Sequence, residues 1–148
     1  MKKLFALVLV ATALAACGDE KEFIKIAGGG ITFNYRYSEA GMTVIAQQKQ
    51  TLPAGGTVEA LFDVPGTNTR QLVSIPVLEG KLTYKLQSLP LTGFKKGGEY
   101  KVTIRVLDAK GLELDHKERI FVSDVDQATL PTKPLVKDWA YTPDLKNL

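Results

Sequence analysis

Tyr100-Lys101-Val102-Thr103-Ile104-Arg105-Val106, running on through Leu107 into Asp108-Ala109-Lys110-Gly111, is the stretch that decides the fold. Tyr100, Val102, Ile104 and Val106 alternate with Lys101, Thr103 and Arg105. A period of two belongs to a strand with one face in a core and the other in water, because successive side chains of a strand point to opposite faces. Gly111 suits the positive φ that a tight hairpin turn asks of its residues. The turn therefore leads into a partner strand running from Leu112 to Val122.

The same reading extends upstream. Leu82, Tyr84 and Leu86 alternate with Thr83, Lys85 and Gln87, and the phase then slips at Leu89 and Leu91 around Pro90, which predicts a bulge there. Val73, Ile75 and Val77 share one side of a run broken by Pro76, the mark of an edge strand or a bulge, since proline donates nothing to a ladder. Val58, Ala60, Phe62 and Val64 form a further half-buried strand between Pro53-Ala54-Gly55-Gly56 and Pro65-Gly66-Thr67-Asn68. Met42 to Gln50 reads as a strand despite an ambiguous period at Val44-Ile45-Ala46. Ile31, Phe33, Tyr35 and Tyr37 alternate with Thr32, Asn34 and Arg36, and Gly28-Gly29-Gly30 reads as a turn separating them from a short first strand at Ile24 and Ile26. Roughly seven or eight short strands, turns about every ten residues and no amphipathic helix predict a single all-β sandwich. The domain is expected over 23–122. Beyond it, Pro131, Pro134 and Pro143 predict an extended tail over 123–148, in which Trp139 and Tyr141 either pack down or are offered to a partner.

Phe94-Lys95-Lys96-Gly97-Gly98-Glu99-Tyr100, just ahead of the clearest strand, resembles the tyrosine corner of immunoglobulin-like and fibronectin type III-like domains. The resemblance covers about Leu82 to Val122. It implies that the Tyr100 hydroxyl bonds back to the backbone upstream. The antibody-type cysteine pair and the tryptophan between its members are absent, which excludes a true antibody-like domain in favour of the looser architecture.

The amino terminus carries an address. Lys2 and Lys3 precede an apolar run from Leu4 to Ala13 that is too short for a bilayer, which takes about 20 residues. Leu14-Ala15-Ala16-Cys17-Gly18 then resembles the lipobox of bacterial lipoproteins. That resemblance implies a signal peptide over 1–16, cleavage before Cys17, a diacylglyceryl group on its thiol, acylation of the new amino terminus, and a charged tether over 17–22. Gly18, standing where an aspartate favours inner-membrane retention in enterobacteria, implies the outer membrane, with the domain on its periplasmic face or at the cell surface. Cys17 is the only cysteine, so no disulfide framework exists. Removing Lys2 and Lys3 with the signal leaves 17 basic against 16 acidic side chains, and no basic cluster offers several phosphate contacts to nucleic acid.

Candidate chemistry is sparse. His116, the single histidine, lies between Asp115 and Lys117 and reads as a solvated strand residue. No Gly-x-Ser-x-Gly elbow accompanies any serine, and lipid on Cys17 removes thiol chemistry. Asp124 and Asp126, with Asp108 and Asp115 near them at one end of the sandwich, are candidate oxygens for calcium, against a reading as solvated loop carboxylates. Gly28-Gly29-Gly30 lacks the lysine and helix of a phosphate cradle. Phe33, Tyr35 and Tyr37 read as core packing or as a platform for a glycan or peptide. Trp139 and Tyr141 stand highest for recognition. The expectation is a non-enzymatic, cofactor-free, lipid-anchored module that binds another envelope protein through an edge strand or its tail, with a carbohydrate-binding or adhesion module as the alternative.

Overall fold

The computed structural model describes residues 21–136. Seven strands occur among them: β1 (Ile24–Asn34), β2 (Glu39–Gln48), β3 (Thr57–Asp63), β4 (Arg70–Pro76), β5 (Thr83–Gln87), β6 (Glu99–Leu107) and β7 (Glu113–Val122). They build two antiparallel sheets, β1-β2-β5 and β4-β3-β6-β7. The chain is an all-β sandwich. Pairing of the fourth strand with the third, rather than with the sheet of the first two, separates it from the antibody constant-type arrangement.

Between the sheets lie the residues that alternation assigns to the inside. Val58, Ala60 and Phe62 of β3, Val102, Ile104 and Val106 of β6, Met42, Val44 and Ala46 of β2, and Tyr84 and Leu86 of β5 are all completely buried. Ring packing closes the core at one end: Phe94 meets Tyr100 edge-on at 4.8 Å between centroids and Phe33 at 5.8 Å. The tyrosine corner is formed. Lys95 donates its backbone N–H to the Tyr100 hydroxyl at 2.8 Å. A Cβ at Gly98 would stand 2.5 Å from that hydroxyl oxygen, so the corner needs glycine there.

β1 departs from the sequence reading. Gly28-Gly29-Gly30 is not a turn but the middle of one continuous strand, and the strand ends at Asn34, leaving Tyr35 and Tyr37 in the turn that follows. Pairing jumps from Ile26↔Ala46 to Gly28↔Ile45, so Ala27 is the extra residue of a β-bulge. The bulge shifts the inward phase from Ile24 and Ile26 to Gly29, Ile31 and Phe33. Gly29 has φ +141°, and a Cβ on it would stand 2.3 Å from the Thr43 carbonyl oxygen and 2.9 Å from Phe121 Cζ. The glycine run lets a large ring on β7 come close to β1. The slip at Leu89 also resolves differently: β5 stops at Gln87 without a bulge, Leu89 is exposed, and Leu91 returns to the core through a single bridge to Ala40. Pro76 ends β4, which is an edge strand as expected.

Strand directions give the sandwich two poles. The entry pole holds Phe23 and the loops 49–56, 77–82 and 108–112. The far pole holds the turn at 35–38, the loops 64–69 and 88–98, and the segment after Val122. That segment is tied down. Ser123 is buried and exchanges backbone bonds with Gly97 and Gly98, while the Gln127 carboxamide accepts from Gly93 and Phe94 and donates to the Leu91 carbonyl. A short 3-10 turn, Gln127–Thr129, is capped by Asp126. Val136, the last described residue, lies with Leu135 against the Arg36 carbonyl at the far pole.

Candidate interaction surface

On the outer face of the four-stranded sheet the polar side chains are bonded to one another. Arg105 donates to Glu59 at 2.7 Å, and Arg70 donates to Asp63 at 3.1 Å and to the Thr103 hydroxyl at 2.7 Å. Thr103 in turn donates to Glu118 at 3.0 Å. Those bonds hold the Glu118 carboxyl below its ordinary range, the Thr103 hydroxyl first and Lys101 next. The polar groups of this face pair with one another, while Leu72 of β4 and Ile120 and Val122 of β7 stand exposed on it.

The two halves of β7 differ. In the first half the inward positions, opposite Val106 and Ile104, are Asp115 and Lys117. Asp115 accepts the backbone N–H groups of Phe23 and Ile24 at 2.8 and 3.1 Å, and Lys117 joins Asp115 at 3.3 Å and Glu22 at 3.4 Å. Glu22 also pairs with Lys49, and that bond, with Lys117 behind it, lowers its pKa against the opposing effect of burial. Inward charge on an edge strand blocks pairing with a further strand, and here it also fixes the start of β1.

In the second half, Arg119 lies over the Phe121 ring at 5.8 Å while Phe121 enters the core. Ile120 and Val122 point outward and are 55% and 53% exposed. The outer edge here has no backbone partner among the described residues. Beside it a groove follows the seam between the sheets, walled by Ile31, Phe33 and Tyr35 on one side and by Phe121, Val122 and Val125 on the other. An unpaired edge next to an apolar groove can take an extended segment, with main-chain bonds along the edge and side chains in the seam.

The residues singled out in the sequence fare unequally. Cys17, Trp139 and Tyr141 lie outside the described residues. The aromatic row is broken up: Phe33 packs on Phe94, whereas Tyr35 is half exposed at the groove mouth, its hydroxyl 3.4 Å from that of Thr129. The four aspartates do not share one end. Asp108 closes the entry-pole turn by accepting from Lys110 and Leu112, Asp115 caps β1, and Asp126 caps the 3-10 turn at the far pole. Among the described residues no three histidine, cysteine or acidic side chains stand together as a metal site. His116 is exposed, with Nδ1 2.9 Å from Glu113. Sequence reasoning missed Ile120 and Val122 because β7 lacks a clean alternation. The signal present was inverted phase, with apolar residues placed opposite the outward positions of β6.

No protein-family model matches the chain, and no curated protein matches it. Among solved structures, wild-type OgpA from Akkermansia muciniphila is similar in two crystal forms. One gives 18% identity and a TM-score of 0.38 over 70% of this chain and 28% of OgpA. The other gives 15% and 0.36 over 70% and 29%. The chain spans less than a third of OgpA's length, and a likeness this distant carries no functional inference.

Proposed function

We propose that this chain is a bacterial lipoprotein of the cell envelope, held by lipid on Cys17 to the outer membrane, whose domain is a non-enzymatic binding module for another envelope protein. The partner contributes an extended segment that adds to the free edge of β7 at Arg119–Val122 and seats side chains in the seam groove. The observation that carries this reading is the contrast within one strand: inward Asp115 and Lys117 are tied to the start of β1 in the first half of β7, while past inward Arg119, which lies over the Phe121 ring, the strand ends as an edge flanked by exposed Ile120 and Val122. The carboxyl-terminal chain supports it as well. Its described part reaches Leu135 and Val136 on the Arg36 carbonyl at the far pole, opposite the entry of β1.

The test is affinity purification of the full-length protein from crosslinked, detergent-solubilised membranes, alongside Cys17→Ala and Ile120→Lys/Val122→Lys variants, with mass spectrometry of what accompanies each. A companion lost in the edge variant, with an unchanged circular dichroism spectrum, supports strand addition. A companion retained at the same yield in that variant contradicts it.

A further inference from the structure

Three leucines stand out at the entry pole. Leu78 and Leu82, in the loop between β4 and β5, are 51% and 64% exposed, and Leu112, in the loop between β6 and β7, is 64% exposed. These loops lie on opposite sides of the pole, because β4 and β5 bound the sandwich on one flank while β7 and β1 bound it on the other. Between them, Leu52, Val77 and Leu78 line a groove under the loop from β2 to β3. Lysines accompany the leucines: Lys21, Lys81 and Lys110 belong to the same pole, beside Lys49, which is paired with Glu22. Of the nearby acids, Glu22 is engaged by Lys49 and Lys117, the Asp108 carboxylate is taken up by the turn, Glu113 lies beside His116, and Glu79 stands in the loop between Leu78 and Leu82.

We infer that this pole is a second, weak membrane contact: the leucines rest in the interface of an anionic leaflet and the lysines meet its headgroups. The inference deepens the lipid-anchor reading and rests on it. What says which surface covers the leucines is chain length. Glu22 is pinned to Lys49 and Lys117, and Phe23 and Ile24 to Asp115, so the domain begins without slack. Cys17 and Glu22 are five residues apart, a reach of at most about 17 Å when fully extended. A bilayer holding Cys17 by its acyl chains therefore lies within one tether length of Glu22, at the pole to which Leu78, Leu82 and Leu112 also belong. At that range even modest apolar and cationic contacts favour a docked orientation, because the tether keeps the effective concentration high. Docking on the entry pole fixes the domain upright. The second half of β7, whose Val122 end lies at the far pole, is then directed away from the membrane.

The test uses protein attached through Cys17 to vesicles of phosphatidylethanolamine and phosphatidylglycerol, in two arms. In one, the lipidated protein purified from membranes is reconstituted. In the other, the Cys17 thiol of the unlipidated chain is coupled to a maleimide-bearing phospholipid, so that a failure of acylation in the cell is distinguished from a failure of docking. Hydrogen exchange is read at both poles. The expected result is that 77–82 and 108–112 exchange about tenfold more slowly on vesicles than in solution, with 64–69 unchanged, and that a Leu78→Asp/Leu82→Asp/Leu112→Asp variant loses the protection. Equal exchange on vesicles and in solution at the entry pole, or protection retained in the triple variant, overturns the inference.

Discussion

Two residues show how little of this fold is tolerant at its critical points. The Tyr100 hydroxyl is the acceptor for the Lys95 N–H. Tyr100→Phe keeps the ring against Phe94 but orphans that donor, and urea unfolding should show a loss of about 1–3 kcal/mol. Gly29→Ala should cost at least as much, since it combines strain at φ +141° with a Cβ 2.3 Å from a carbonyl oxygen. Both positions were visible as letters, yet only one was interpretable. Tyr100 sits at a motif whose spacing names its partner, so the corner was legible before any coordinates. Gly29 sits in a glycine run, and glycine marks a turn and a close backbone approach with the same letter. What distinguished them was the change of apolar phase between Ile26 and Ile31, which only a one-residue bulge reconciles with a continuous strand.

At the scale of the element, β7 carries the argument. Asp115 holds two backbone donors of the incoming chain, so Asp115→Ala should expose the start of β1 to hydrogen exchange while leaving β3 and β6 protected, with a global cost of about 1–3 kcal/mol. The acid side of the stability curve should report on the ladder across the outer face. Glu118 titrates below its ordinary value of 4.5 in the folded protein, so its contribution is complete above that value and is lost as pH falls through the lower native one. Thr103→Val removes the foremost cause, and the decline in melting temperature on acidification should become shallower. Strands with strict alternation, β3, β5 and β6, were readable because each has one face in a single core. β7 was not, since its inward positions run Asp115, Lys117, Arg119 and Phe121, three charges before one ring, and an apolar period cannot describe such a strand.

The whole molecule is arranged along an axis. The chain enters at one pole under the grip of Asp115, Lys49 and Lys117, and it leaves the described domain at the other, with Leu135 and Val136 on the Arg36 carbonyl. The segment after Val122 is part of what holds the far pole together, through Ser123 and Gln127. Truncation after Val122 should therefore lower the melting temperature, because it removes Ser123 and Gln127. With the proposed anchor at the entry pole and the proposed binding edge near the other, the domain would stand between a membrane and a partner.

Everything in that account depends on Cys17. The most direct measurement is the mass of the amino-terminal peptide of the protein isolated from membranes of its native cells. The account predicts a chain beginning at Cys17 and carrying a diacylglyceryl group on the thiol and an acyl group on the amino terminus. A free Cys17 thiol, in a chain that is soluble after cell breakage, would contradict it.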